Sequence, residues 1–209
     1  MKNAVIFIEH VLILLIAIFA IFVTYNLYLS INKEIKIEAN IRNSIKEFNR
    51  LCENLITFSL LSENSSTTDK IEVFSSNLLC ISNFVSLVTD KPCSSTEKKY
   101  YSSIQIGNDT LYFEVLSENY VNISGNIYPS NSFIEISNFL IYIYDFDPEN
   151  NKINAIIFSK KDNTYVGCFR NKVSYICPIK LKNCTIYCKG DCKFIISKEE
   201  GKISIRQIQ

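Results

Sequence analysis

Histidine is almost missing from this chain: His10 is the single one, and it sits in an apolar run near the N-terminus. No imidazole is left elsewhere for a Ser-His-Asp or Cys-His device, or for a catalytic zinc site. Glycine is nearly as scarce, 5 in 209 residues, and neither a Walker loop nor a dinucleotide fingerprint occurs, which argues against phosphate-cradling loops. An excess of either charge is lacking too: 22 basic and 21 acidic residues leave a net +1, no field for nucleic acid. Pairs such as Asp145 with Asp147, or Glu114 with Glu118, remain as acid–base candidates, but turn and strand-edge carboxylates are ordinarily just solvated. The chain reads as no enzyme, with no cofactor, metal or small-molecule substrate suggested. Finally, neither Pro nor Gly occurs before Pro92, so nothing ahead of it must break a helix.

What is present begins with MKNAVIFIEHVLILLIAIFAIFVTYNLYL, residues 1–29. Residues 5–23 as a helix span about 28 Å, enough to cross the hydrocarbon core of a bilayer. Glu9 interrupts the run, and a carboxylate in hydrocarbon is retained where something partners it. A cleaved secretory signal fits poorly, because the best small-residue site, Ile18-Phe19-Ala20, lies inside the run. An ordinary single-pass anchor with a snorkelling Glu9 is the simpler alternative. A buried helix of a soluble core is disfavoured, since no matching apolar helices follow.

Beyond residue 31 the pattern turns amphipathic. Ile37, Ile41, Ile45, Phe48, Cys52 and Leu55 recur by fours and threes, with Lys36, Glu38, Arg42, Lys46, Glu47 and Arg50 mostly on the other side. The spacing predicts one helix from about Ala4 to about Leu60, half in lipid and half packed under a head domain, ending in the polar stretch 62–69.

The order Lys2, Ala4, Glu9 and then an unbroken apolar helix, with Ile8-Glu9-His10-Val11-Leu12 at its start, resembles the class III signal and helix of archaeal type IV pilin-like proteins. The likeness covers about the first thirty residues as a motif, plus the layout of long helix then β head. Asn3 stands where a basic residue is usual, and Val5 where Gln is usual. The resemblance implies a leader of residues 1–4 cleaved between Ala4 and Val5, with Glu9 then fifth in the mature chain. It further implies assembly: a carboxylate buried among gathered helices pairs with the free amino terminus of a neighbour and sets axial register.

Cysteine usage points outside the cell. Cys52, Cys80, Cys93, Cys168, Cys177, Cys184, Cys188 and Cys192 form an even set of 8 beyond the anchor. Sequons at Asn64, Asn108, Asn122 and Asn183 fall there too and are candidate N-glycosylation sites. The run from Cys177 to Cys192 is single-file, unlike paired zinc-knuckle spacing, so disulfides are preferred over metal. About 105 pairings are open. A bridge from Cys52 to Cys80 or Cys93 would fasten the stalk to the head.

The rest reads as strands. Residues 104–106 and 111–115 flank Gly107-Asn108-Asp109; 139–146 and 153–158 flank 147–151; 165–170 faces 173–177; 193–197 faces 202–206. Residues 71–88 fit a helix or two strands. Tyr100-Tyr101 and Tyr142-Ile143-Tyr144 are a candidate contact surface. The expectation is an α+β chain: a membrane-spanning assembly helix at 1–30, an amphipathic stalk helix at 31–62, and a disulfide-stapled antiparallel β head at 63–209, a meander forming a sheet or small sandwich wrapped on the stalk. The function expected is a pilin-like subunit of a surface filament, or a minor component of its machinery, membrane-anchored with its head outside and self-associating, or joining related subunits, through the N-terminal helix. The alternative is a single-pass anchored extracellular binding or adhesion module that never polymerises.

Overall fold

The structure, a computed structural model, describes residues 2–93, 100–106, 109–117, 119–129, 133–147, 149–161 and 163–208, with backbone alone for 2–11, 100, 106, 109 and 144. α1 (Lys2–Ser59) is one helix of 58 residues. The chain divides into two compact units, Met1–Asn40 and Ile41–Gln209. The first is helix alone. The second combines the last part of α1 with a mostly β domain carrying disulfides, and strand dominates the chain; the β part is no small cap.

The strands are β1 (Ser66–Ile81), β2 (Phe84–Pro92), β3 (Tyr100–Tyr101), β4 (Ser103–Ile106), β5 (Asp109–Ser117), β6 (Tyr120–Ile123), β7 (Asn126–Pro129), β8 (Phe133–Ile136), β9 (Phe139–Asp147), β10 (Lys152–Lys161), β11 (Thr164–Phe169), β12 (Lys172–Lys180), β13 (Asn183–Thr185), β14 (Tyr187–Glu199) and β15 (Lys202–Ile208). Residues 71–88 are thus two strands. Ser82-Asn83, Arg170-Asn171 and Glu200-Gly201 all have positive φ at both positions. That is the turn whose twist matches the flanking strands, which is why Asn and Gly sit there.

The large sheet runs β13-β15-β14-β1-β2-β12-β11-β10-β9-β8, with β3 beside β10; β4-β5-β6-β7 form a second sheet. This is more than the expected meander. The β1–β2 hairpin is inserted between β14 and β12, and β13 lies parallel to β15. Hairpin turns specify only neighbours in sequence; which hairpin edges join is decided by the apolar face they bury together.

On one face that burial is against α1. Ile41 is buried, and Phe48, Leu51, Cys52, Leu55 and Phe58 form one core with Ile71, Leu78, Val85, Leu87, Phe194 and Ile205. Each large side chain removed from water stabilises by about 1.5–3 kcal/mol. A polar residue completes the fit. β1 bulges against β14 between Val73 and Leu78, and buried Ser44 of α1 donates from Oγ to the Phe74 carbonyl at 2.8 Å while accepting from the Phe74 N–H at 2.9 Å. The helix supplies the hydrogen bonds that the ladder loses. α1 ends at Ser59, and only the first half of the polar stretch 62–69 is loop: Lys198 N–H donates to the Ser65 carbonyl at 3.0 Å, and β1 starts at Ser66.

The remaining strands curl. Phe84 on β2 meets Phe133 on β8 edge to face at 4.9 Å between ring centres, and Tyr165 on β11 donates its hydroxyl to Glu135 on β8. Phe84, Leu140, Phe158, Tyr165 and Ile176 fill the resulting concavity. Gly167 is required there: a Cβ would stand 2.5 Å from the Phe158 ring and 2.7 Å from the Ile157 carbonyl oxygen. The small sheet lays Phe113, Val121 and Ile123 on Ile141, Ile143 and Ile153.

Candidate membrane and assembly helix

Every described side chain from 12 to 39 is exposed, and from His10 to Asn32 no charged residue occurs. Exposed Leu, Ile and Phe surround the helix on all sides: Leu12, Ile13, Leu14, Leu15, Phe19 and Phe22 span more than a full turn. Such surface in water is costly, so it calls for lipid or other helices. By length and composition α1 can cross a membrane. Its few polar side chains are spent on its own backbone: Thr24 Oγ1 donates to the Ala20 and Ile21 carbonyls, and Asn26 Nδ2 to the Phe22 carbonyl at 2.8 Å. That is the arrangement that lets Thr and Asn enter hydrocarbon without an unpaired donor.

Exposed Tyr25 and Tyr28 follow the apolar run, just before Lys33. Amphipathic rings at the end of an apolar span mark the level of lipid headgroups; sequence reasoning passed over them, although their position beside the first charge was a readable signal. Ala4, Val5 and Glu9 lie in α1, which begins at Lys2; their side chains are outside the described ones.

The cysteines separate into bonded and free. Cys80 bonds Cys184, Cys93 bonds Cys168 and Cys188 bonds Cys192, with Cα–Cα distances of 5.8, 6.0 and 6.2 Å. Cys52 and Cys177 are free and buried. The expected bridge from Cys52 to Cys80 or Cys93 is therefore replaced: Cys80 reaches across to Cys184 on β13, and Cys93, after the end of β2, to Cys168 on β11. Among the described residues no three His, Cys, Asp or Glu side chains gather into a metal-holding group.

Of the sequons, Asn64 is exposed in the turn after α1, Asn183 is exposed on β13, and Asn122 is half-buried on β6, donating from Nδ2 to Glu114 at 3.0 Å. Asn108 lies outside the described residues, as does Glu118. Asp147 takes the Asn150 amide and backbone N–H at 2.9 and 3.2 Å, and those bonds hold its carboxyl below the usual range. It shapes a turn. Tyr101 and Tyr142 are half-buried, Tyr142 packing on Phe133 at 4.8 Å, so neither presents a fully open face; the side chains of Tyr100 and Tyr144 lie outside the described ones. Exposed Tyr112, Leu116, Tyr120 and Ile127 do, on the outer side of the small sheet. Alternation with buried Phe113 and Val121 puts them there.

No protein family, curated protein or solved structure matches the chain.

Proposed function

We propose that this chain is a pilin-like structural subunit of a cell-surface filament, or a minor component of the machinery that builds it, held in the membrane by α1 with its β domain outside the cell. One observation carries the reading: α1 is uninterrupted, its side chains from Phe48 to Phe58 are built into a domain core, and its uncharged residues 12–32 offer apolar surface on every side. A helix of that kind can exchange lipid for the helices of neighbouring copies without refolding the domain attached to it. Glu9 supplies what a plain anchor lacks, a charge whose desolvation is offset only when a neighbouring amino terminus meets it. Three disulfides suit an oxidising exterior, and among the described residues Asn64 and Asn183 are exposed sequons open to glycans.

The outer face bearing Tyr112, Tyr120 and Ile127 favours a second reading, an anchored adhesion module that works as a single copy. Mass spectrometry of the native N-terminus together with the content of sheared surface filaments separates the two. A chain beginning at Val5 and recovered in filaments supports the subunit. A retained Met1, with the protein found only as monomers in the membrane fraction, overturns it in favour of the adhesion module.

A further inference from the structure

Cys52 and Cys177 face each other across the joint between α1 and β12. Along β12, Ile176 turns into the concavity with Phe84 and Phe158, whereas Cys177 belongs to the core under the helix together with Cys52, Phe48 and Leu55. Both thiols are fully buried, at 0% exposure, and they belong to one packed core. Six of the eight cysteines are already bonded in pairs, so these two are each other's remaining partner.

We propose that Cys52 and Cys177 form a fourth disulfide, which ties the membrane helix covalently to the centre of the β domain. The step is an exchange with an incoming disulfide, from a thiol–disulfide oxidoreductase or an oxidised small thiol. The two thiols give up two protons and two electrons, one S–S bond forms between Cys52 Sγ and Cys177 Sγ, and the incoming disulfide is reduced to two thiols. The attacking species is a thiolate. Inside the packed core the thiol of Cys52 is held in its protonated form, chiefly by burial and then by Cys177, so the exchange belongs to folding, before the helix has closed over the strands. Once packed, the bond is out of reach of reductants. Its consequence is mechanical. The other three bridges tie strands or loops of the β domain to one another, whereas this one lets a pull on α1 act directly on β12, a device that serves any membrane-held head and does not depend on filament assembly.

The test is to express the full chain with export to an oxidising compartment, extract it in detergent, denature it, alkylate it without reductant and map its peptides. The expected result is no alkylated cysteine and a Cys52–Cys177 cross-linked peptide. Alkylation of Cys52 and Cys177 in most molecules, with the other three bridges intact, overturns the proposal. Where wild-type mapping is confounded by reshuffling, Cys52→Ala gives an independent readout: Cys177 should become the one alkylated residue in an otherwise oxidised chain. A Cys52→Ala chain in which Cys177 stays unalkylated, bonded to another cysteine, also rejects the pairing.

Discussion

Lys198, near the end of β14, donates from Nζ to the Ser59 carbonyl at 2.8 Å, closing the C-terminus of α1 from a position 139 residues further along the chain. The same ammonium reaches the Leu61 carbonyl at 2.6 Å and lies 3.9 Å from Glu63. The last carbonyls of a helix have no partner within it and carry the negative end of its dipole, so a cation is the group that suits them. Most lysines are exposed; this one is buried, because its charge is used.

Lys198→Met keeps the aliphatic stem and removes the charge and the donor. The expected loss is about 1–3 kcal/mol of unfolding free energy, the cost of leaving carbonyls at a partly buried helix end without a partner. Urea unfolding of the detergent-solubilised chain measures it, with Lys202→Met, on the exposed surface, as the comparison expected to change little.

Ser44→Ala should cost a similar amount, about 1–3 kcal/mol, because both the N–H and the carbonyl of Phe74 lose their partner at a bulge where the ladder offers no other. Protection of the Phe74 amide from hydrogen exchange should fall with it. An unchanged exchange rate in the alanine variant would mean that the β1 bulge is held by its strands alone.

The helix was the most legible part of the chain, since apolar residues at fours and threes without Pro or Gly leave few alternatives; only the stripe's upper end differs, with Ile37 exposed and burial beginning at Ile41. The hairpins were legible for the same kind of reason, through Asn and Gly at turns. What could not be read was non-local. Nothing in β1 names β14 as its neighbour, and the Ser44 hydroxyl has a purpose only once the bulge exists. Cys80 and Cys184, 104 residues apart, are joined by that same sheet topology. Of the candidate site, the apolar span and Glu9 stood out because each is costly without a partner, whereas Lys198 looks in sequence like any surface lysine.

Alkali should destabilise the domain through Tyr165. Burial, and then the Glu135 carboxylate that accepts its hydroxyl, raise this phenol above its ordinary value of 10.0. A raised phenol keeps its proton in the folded chain when the unfolded chain has lost it, so its contribution is intact below pH 10 and is lost as pH rises past that point. Burial pushes Tyr101 and Tyr175 the same way. Tyr165→Phe should therefore flatten the fall in stability between roughly pH 9.5 and 11, while lowering stability near neutrality by about 1 kcal/mol for the lost hydrogen bond. Urea midpoints measured across that range check both; an unchanged alkaline slope would take Tyr165 out of the account.

Glu9→Leu distinguishes a subunit from an anchor. A charged residue costs about 2.5–3.5 kcal/mol at the centre of a membrane span, so leucine should leave insertion intact or improve it. Assembly should respond in the opposite direction. Leucine has nothing to offer the amino terminus of an adjacent copy, and helices packed only by apolar contact have many axial offsets of similar energy, so register is lost even though attraction remains. The variant is therefore expected in the membrane fraction at wild-type level and absent from sheared filaments, with Glu9→Asp, which keeps the charge on a shorter stem, partly recovered there. Equal recovery of the leucine variant in filaments would reduce Glu9 to an interfacial residue and leave the outer face at Tyr112 and Tyr120 as the working part of the molecule.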